Sequence, residues 1–173
     1  MTHDAADRER LDELMRESVQ GFTAYIGFLP RVLEPGHCEA TVEIAPHHLQ
    51  QDGYVHAGVI TTLADHAAGY AAYSVAPPGT RVLSVEFKIN LLAPGDGDEL
   101  VCRAKVLNRN GRRLALLAGV HAGPRARSDA SPAARIEAGA PDPGRGVGGV
   151  FSTRHRREAH REGAVDDGGG AGS

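Results

Sequence analysis

Tryptophan is absent and aromatic residues make up only 5% of the 173-residue chain, so the interior has to be built from aliphatic side chains and alanine. Cysteine is scarce as well. Cys38 and Cys102 stand far apart in strand-like segments without metal-type spacing, which argues against a ligand set and suits buried free thiols in a reducing compartment. No run approaches the ~18 apolar residues of a membrane span, and the charged opening MTHDAADRER is unlike a secretory signal. A cytoplasmic protein with no membrane partner is the expectation. An excess of one charge is also lacking: 19 Lys and Arg against 22 Asp and Glu give a net charge of −3, no electrostatic reason to expect a nucleic-acid partner. One modest domain with an aliphatic core fits these bounds.

The stretch HAGVITTLADHAAGYAAYSVA, residues 56–76, organises the rest. Val59, Ile60, Leu63, Ala67, Ala71 and Val75 follow helical spacing, while Ala64, Ala67, Ala68, Gly69, Ala71 and Ala72 let other backbone come close. Such a helix is enclosed on several sides. Its one carboxylate, Asp65, has only Thr61, Thr62, Ala68 and Gly69 as helical neighbours. It therefore looks into a crevice, and a partly desolvated carboxylate is a candidate base or nucleophile. At the start of the helix, His56, Ala57 and Gly58 lie where backbone N–H groups are free to hold a developing negative charge. Eight residues separate Ala57 from Asp65, roughly 12 Å along a helix, too far for both to reach one carbonyl within one chain. If both act, they come from different subunits related by a two-fold axis.

Ahead of this helix, residues 4–20 read as an amphipathic helix, and Arg31–Glu34 with His37–Ala45 as a hairpin over Pro35-Gly36. After it, residues 81–92 form the clearest strand, with Leu83, Val85, Phe87, Ile89 and Leu91 in alternation. Residues 99–107 and 112–121 follow as strands joined by a turn at Asn108–Gly111. The class is α+β, one antiparallel sheet wrapped on one helix. His47 and His48 are adjacent, and no acid or Cys pattern completes a metal site around them. His56, at the helix start, has a stronger claim to a role than His66, which points about 100° away from Asp65. From residue 123 the composition turns to Gly, Ala, Arg and Pro, which predicts a disordered, low-complexity tail over 123–173. The domain proper is then 21–122, preceded by the helix within 1–20.

The block HLQQDGYVHAGVITTLAD, followed by VLSVEFKINLLAPG, resembles the hotdog-fold thioesterases of the PaaI (phenylacetate-pathway) type over roughly residues 20–121. The resemblance implies a sheet around a long central helix, a homodimer or homotetramer with active sites between subunits, and hydrolysis of aryl or medium-chain acyl-CoA without metal or other cofactor. It also implies roles. Asp65 matches the family's catalytic acid, as general base or nucleophile; His56 and Ala57, followed by Gly58, match the HGG motif whose backbone N–H polarises the carbonyl. Gln50 falls where the family often has Asn, and Ser84 matches an assisting hydroxyl. Lys88, Asn90, Arg109 and Arg112 are the candidates for holding CoA. Three departures stand out: Ala57 replaces the first glycine of HGG, the longer Gln50 replaces Asn, and the family's last strand is missing or degraded. A non-catalytic acyl-CoA-binding protein or an inactive truncated remnant is the alternative function.

Overall fold

The computed structural model of the chain describes residues 2–123, 134–138 and 150–155, with side chains for residues 7–123. The segment rich in small residues forms the longest helix, α3 (Ala57–Val75); before it come α1 (Thr2–Glu17), the single turn α2 (Phe22–Tyr25), and the hairpin strands β1 (Leu29–Glu34) and β2 (His37–Glu43). After it run β3 (Thr80–Glu86), β4 (Lys88–Leu91), β5 (Glu99–Asn110), β6 (Arg113–Gly123), β7 (Ala134–Ala138) and β8 (Val150–His155).

The sheet is antiparallel throughout, in the order β1-β2-β5-β6-β7-β4, with β8 between β6 and β3. It wraps α3 closely because α3 offers so little side chain: Ala64, Ala67, Ala68, Ala71 and Ala72 are all at 0% exposure. Aliphatic residues of β2, β5 and β6, among them Val42, Leu100, Leu116 and Val120, close the core over them. Cys38 and Cys102 are buried free thiols there; burial, with the Glu39 charge behind it, pushes the Cys38 thiol up to about 12, and burial raises Cys102 as well. α1 is fastened to the C-terminal end of α3, where the Arg10 guanidinium donates to the carbonyls of Tyr73 (2.9 Å) and Ala76 (2.7 Å), the first of which also accepts the capping N–H of Ala76.

Three expectations meet a different structure. The strand expected over 81–92 is broken at Phe87, and a bulge lies between Ser84 and Glu86. A bulge adds one residue and switches which face the following side chains take, so the regular alternation from Leu83 to Leu91 does not mark one face. Ser84 points at α3, Leu83 and Val85 point away and are 52% and 63% exposed, and beyond the bulge Ile89 packs on the core. The β5–β6 turn is also displaced. A register shift between Val106 and Asn108 carries pairing on to Asn110 and Arg113, and Gly111 takes the left-handed backbone of the turn (φ 57°). Finally, strands β7 and β8 lie within the stretch expected to be disordered and supply pairing in the position of the strand expected to be missing. The rest of that expectation, residues 124–133, 139–149 and 156–173, falls outside the described residues.

Candidate active site

The N-terminus of α3 is built by its cap. His56 has extended backbone (φ −61°, ψ 134°), and its imidazole Nδ1 accepts the N–H of Gly58 at 2.9 Å. Val59 and Ile60 donate to the carbonyl of His56. Of the first four N–H groups of the helix, that of Ala57 has no acceptor among the described residues. Ala57 is the first helical residue, a backbone any L-residue adopts, so the methyl group that replaces a glycine hydrogen strains nothing. Gly58 is the more demanding position: a Cβ there would lie 2.9 Å from His56 Nδ1.

Ala57 lines a cavity of about 580 Å³ together with Gln50, Tyr54, His56, Leu91 and Gly95 among others. The loop wall is set by Gln50, whose N–H donates to the Tyr54 carbonyl (2.8 Å) and whose Oε1 accepts from the Asp52 N–H (3.2 Å). Tyr54 and Leu91 were not picked out from the sequence as site residues. The loop glycines around Tyr54 and the end of the strand carrying Leu91 were the available signals.

Two turns further along α3, Asp65 is half-buried and accepts a hydrogen bond from Ser84 Oγ at 2.7 Å. Ser84 precedes the bulge in β3 and shares the inward face of buried Val82. Thr61 and Thr62 do not compete for the carboxylate, because each donates to a carbonyl one turn back, those of Ala57 (2.7 Å) and Gly58 (2.8 Å). His66 turns to the other side and donates from Nε2 to the Ser18 carbonyl at 2.8 Å, its ring edge-on to Phe28. Burial holds its pKa below the usual histidine range, against the opposing pulls of that carbonyl and of Asp65. It is a structural residue. His48 is also buried and lowered, mainly by burial, and its Nδ1 accepts the Ala45 N–H (3.0 Å).

One chain thus brings His56, Ala57, Gly58 and Gln50 to one place and Asp65 with Ser84 to another. A carboxylate and a free backbone N–H are the two groups that attack at a carbonyl requires, a base or nucleophile and an oxyanion donor. Lys88 is exposed and Asn90 half-buried on β4, which leads to the cavity wall at Leu91. Arg109 and Arg112 are elsewhere. Arg109 donates to the carbonyl of Val75 (2.8 Å), the last residue of α3, so both arginines lie at the end of the helix opposite His56.

Residues 52–128 match the family model of the thioesterase superfamily. Over that stretch the chain is similar to the thioesterase superfamily. Its fold is the hotdog fold. A thioesterase family protein from Silicibacter pomeroyi superposes with a TM-score of 0.69 at 28% identity, covering 83% of this chain and 97% of its own. A phenylacetic acid degradation-related protein from Ralstonia eutropha, described as a putative thioesterase, gives 0.64 at 13% identity over 82% and 98%. A protein from Bacillus halodurans, solved with CoA, gives 0.56 at 22% identity over 67% and 66%. At these lower identities the likeness is one of fold. No curated protein matches the chain. Among the described residues, no helix is long and apolar enough to cross a membrane.

Proposed function

We propose that the chain hydrolyses acyl-CoA thioesters, aryl or medium-chain, to the free acid and CoA, as a homodimer or a pair of such dimers with active sites between subunits. The observation that carries the reading is the separation of two complementary groups on one helix. Asp65 with Ser84 forms one half of a site, and the free N–H of Ala57 the other, eight residues away. At ~1.5 Å per residue they serve one carbonyl only if two copies of α3 run antiparallel across a two-fold axis. The open edge of β3 and β4 supports such pairing, since Leu83, Val85, Phe87 and Leu91 are exposed along it.

In this reading the thioester carbonyl oxygen sits on the Ala57 N–H of one subunit. Asp65 of the other takes a proton from attacking water, or attacks the carbonyl itself; Ser84 holds the carboxylate in place, and the thiolate of CoA leaves. Gln50 lies on the cavity wall, within reach of the water. CoA as carrier is consistent with the thioesterase family and with the CoA-bound fold relative. Lys88 and Asn90 remain the better placed candidates for its phosphates, with Arg109 and Arg112 requiring contact from another subunit.

The test is CoA release over a panel of aryl- and alkyl-CoA thioesters for the full chain and for Asp65→Asn. Loss of about a hundredfold or more in kcat, the scale of a missing general base, is expected in the variant with its fold unchanged. Undiminished turnover would refute the role of Asp65; binding without turnover by the full chain would favour a non-catalytic acyl-CoA-binding protein.

A further inference from the structure

Among the described residues, β3 and β4, the strands that carry Ser84 and the open edge, reach β6 only through the short strands: β3 pairs with β8 and β4 with β7. On the other side of that lane, β6 holds β7 along Leu116–Val120 and β8 along Arg113–Ala115. The two short strands meet end to end. Ala138 pairs with Leu116, and Val150 pairs with the preceding residue, Ala115. On the β3–β4 side Glu137 pairs with Lys88 and Val150 with Glu86, leaving the single position of Phe87 opposite Ala138. In register, then, Ala138 and Val150 are successive residues of one strand.

Residues paired across a sheet share a face. Ala134, Ile136 and Ala138 take the rungs of the buried Val120, Ala118 and Leu116. Phe151 takes the rung shared by buried Leu114 and by Ser84, the residue that donates to Asp65.

We infer that Ala134–Ala138 and Val150–His155 act together as a positioning strand for the reaction: they hold the strand of Ser84 and so set the Ser84–Asp65 hydrogen bond, and residues 139–149 are not needed for that task. The consequence for turnover rests on the thioesterase reading above; the consequence for the sheet does not.

Hydrogen exchange and turnover are measured on the full chain, on a deletion of residues 139–149, and on Phe151→Pro, which puts a residue without an N–H at the shared rung. The deletion is expected to keep the amides of Thr80–Leu91 protected and kcat within about twofold of the full chain. Phe151→Pro is expected to cut protection over Thr80–Glu86 by about tenfold or more while Glu99–Gly123 keep theirs. It should lower kcat with little change in KM, and lower it no further when combined with Ser84→Ala, the signature of two changes acting through one contact. Unaltered protection of Thr80–Glu86 in Phe151→Pro, loss of it in the deletion, or full additivity with Ser84→Ala would overturn the inference. Should the full chain turn over no thioester, the exchange results still decide the sheet claim, so its failure and that of the thioesterase reading are distinguishable.

Discussion

The smallest determinants of the site are His56 and Gly58. The imidazole occupies the space where a side chain at residue 58 would stand, and in doing so takes the N–H of Gly58, while that of Ala57 has no acceptor among the described residues. Gly58→Ala brings a methyl carbon to 2.9 Å from Nδ1 and displaces the cap, a loss on the order of 1 kcal/mol. A melting temperature lower by a few degrees together with reduced turnover is expected, and an unchanged variant in both measurements would contradict the capping role. Histidine also sets how stability depends on pH. His66 and His48 are held below the ordinary histidine range by burial, so below about pH 6.5 the unfolded chain binds more protons than the folded one. Stability is therefore fully present above that pH and is lost as pH falls. Urea midpoints at pH 7.5 and 5.5 should show the lower value at 5.5; equal midpoints would show that these imidazoles are not held neutral by the fold.

At the scale of elements, α3 and its approach were legible from residues. Helical spacing from Val59 to Val75, a small-residue surface and one enclosed carboxylate led to the observed helix Ala57–Val75 and to a half-buried Asp65. The bulge was not legible, because Leu83 through Leu91 keep a perfect alternation in sequence while the backbone changes face between Ser84 and Glu86. Ser84, before that change, keeps the face of buried Val82 and so meets Asp65. β7 and β8 were hidden for another reason. Each is five or six residues long and set among Gly, Ala, Arg and Pro, so neither offers the run of β-branched residues by which a strand is read. The tightness of α3 also yields a prediction. Ala68 has no exposed surface, and Ala68→Leu adds three carbons to a filled space, a cost of about 1–3 kcal/mol. Its denaturant midpoint should fall accordingly, and a midpoint equal to that of the parent would mean that the sheet does not pack on α3 as described.

At the scale of the whole molecule, the proposed active site is divided between two chains. Proline offers a clean way to remove the proposed oxyanion donor. It is well tolerated as the first residue of a helix, where its missing N–H is not needed by the helix itself, and it requires extended backbone before it, which His56 already has. Ala57→Pro thus deletes one N–H and leaves α3 in place. Ala57→Pro and Asp65→Asn should each be nearly inactive alone. The most direct measurement is CoA release after the two variants are unfolded together and refolded as a mixture. Sites shared across a two-fold axis predict recovery of about one quarter of parent turnover, since half the dimers are mixed and each mixed dimer holds one site with both Asp65 and the Ala57 N–H intact. A mixture as inactive as its components, with mixed dimers shown to form, would contradict the shared site.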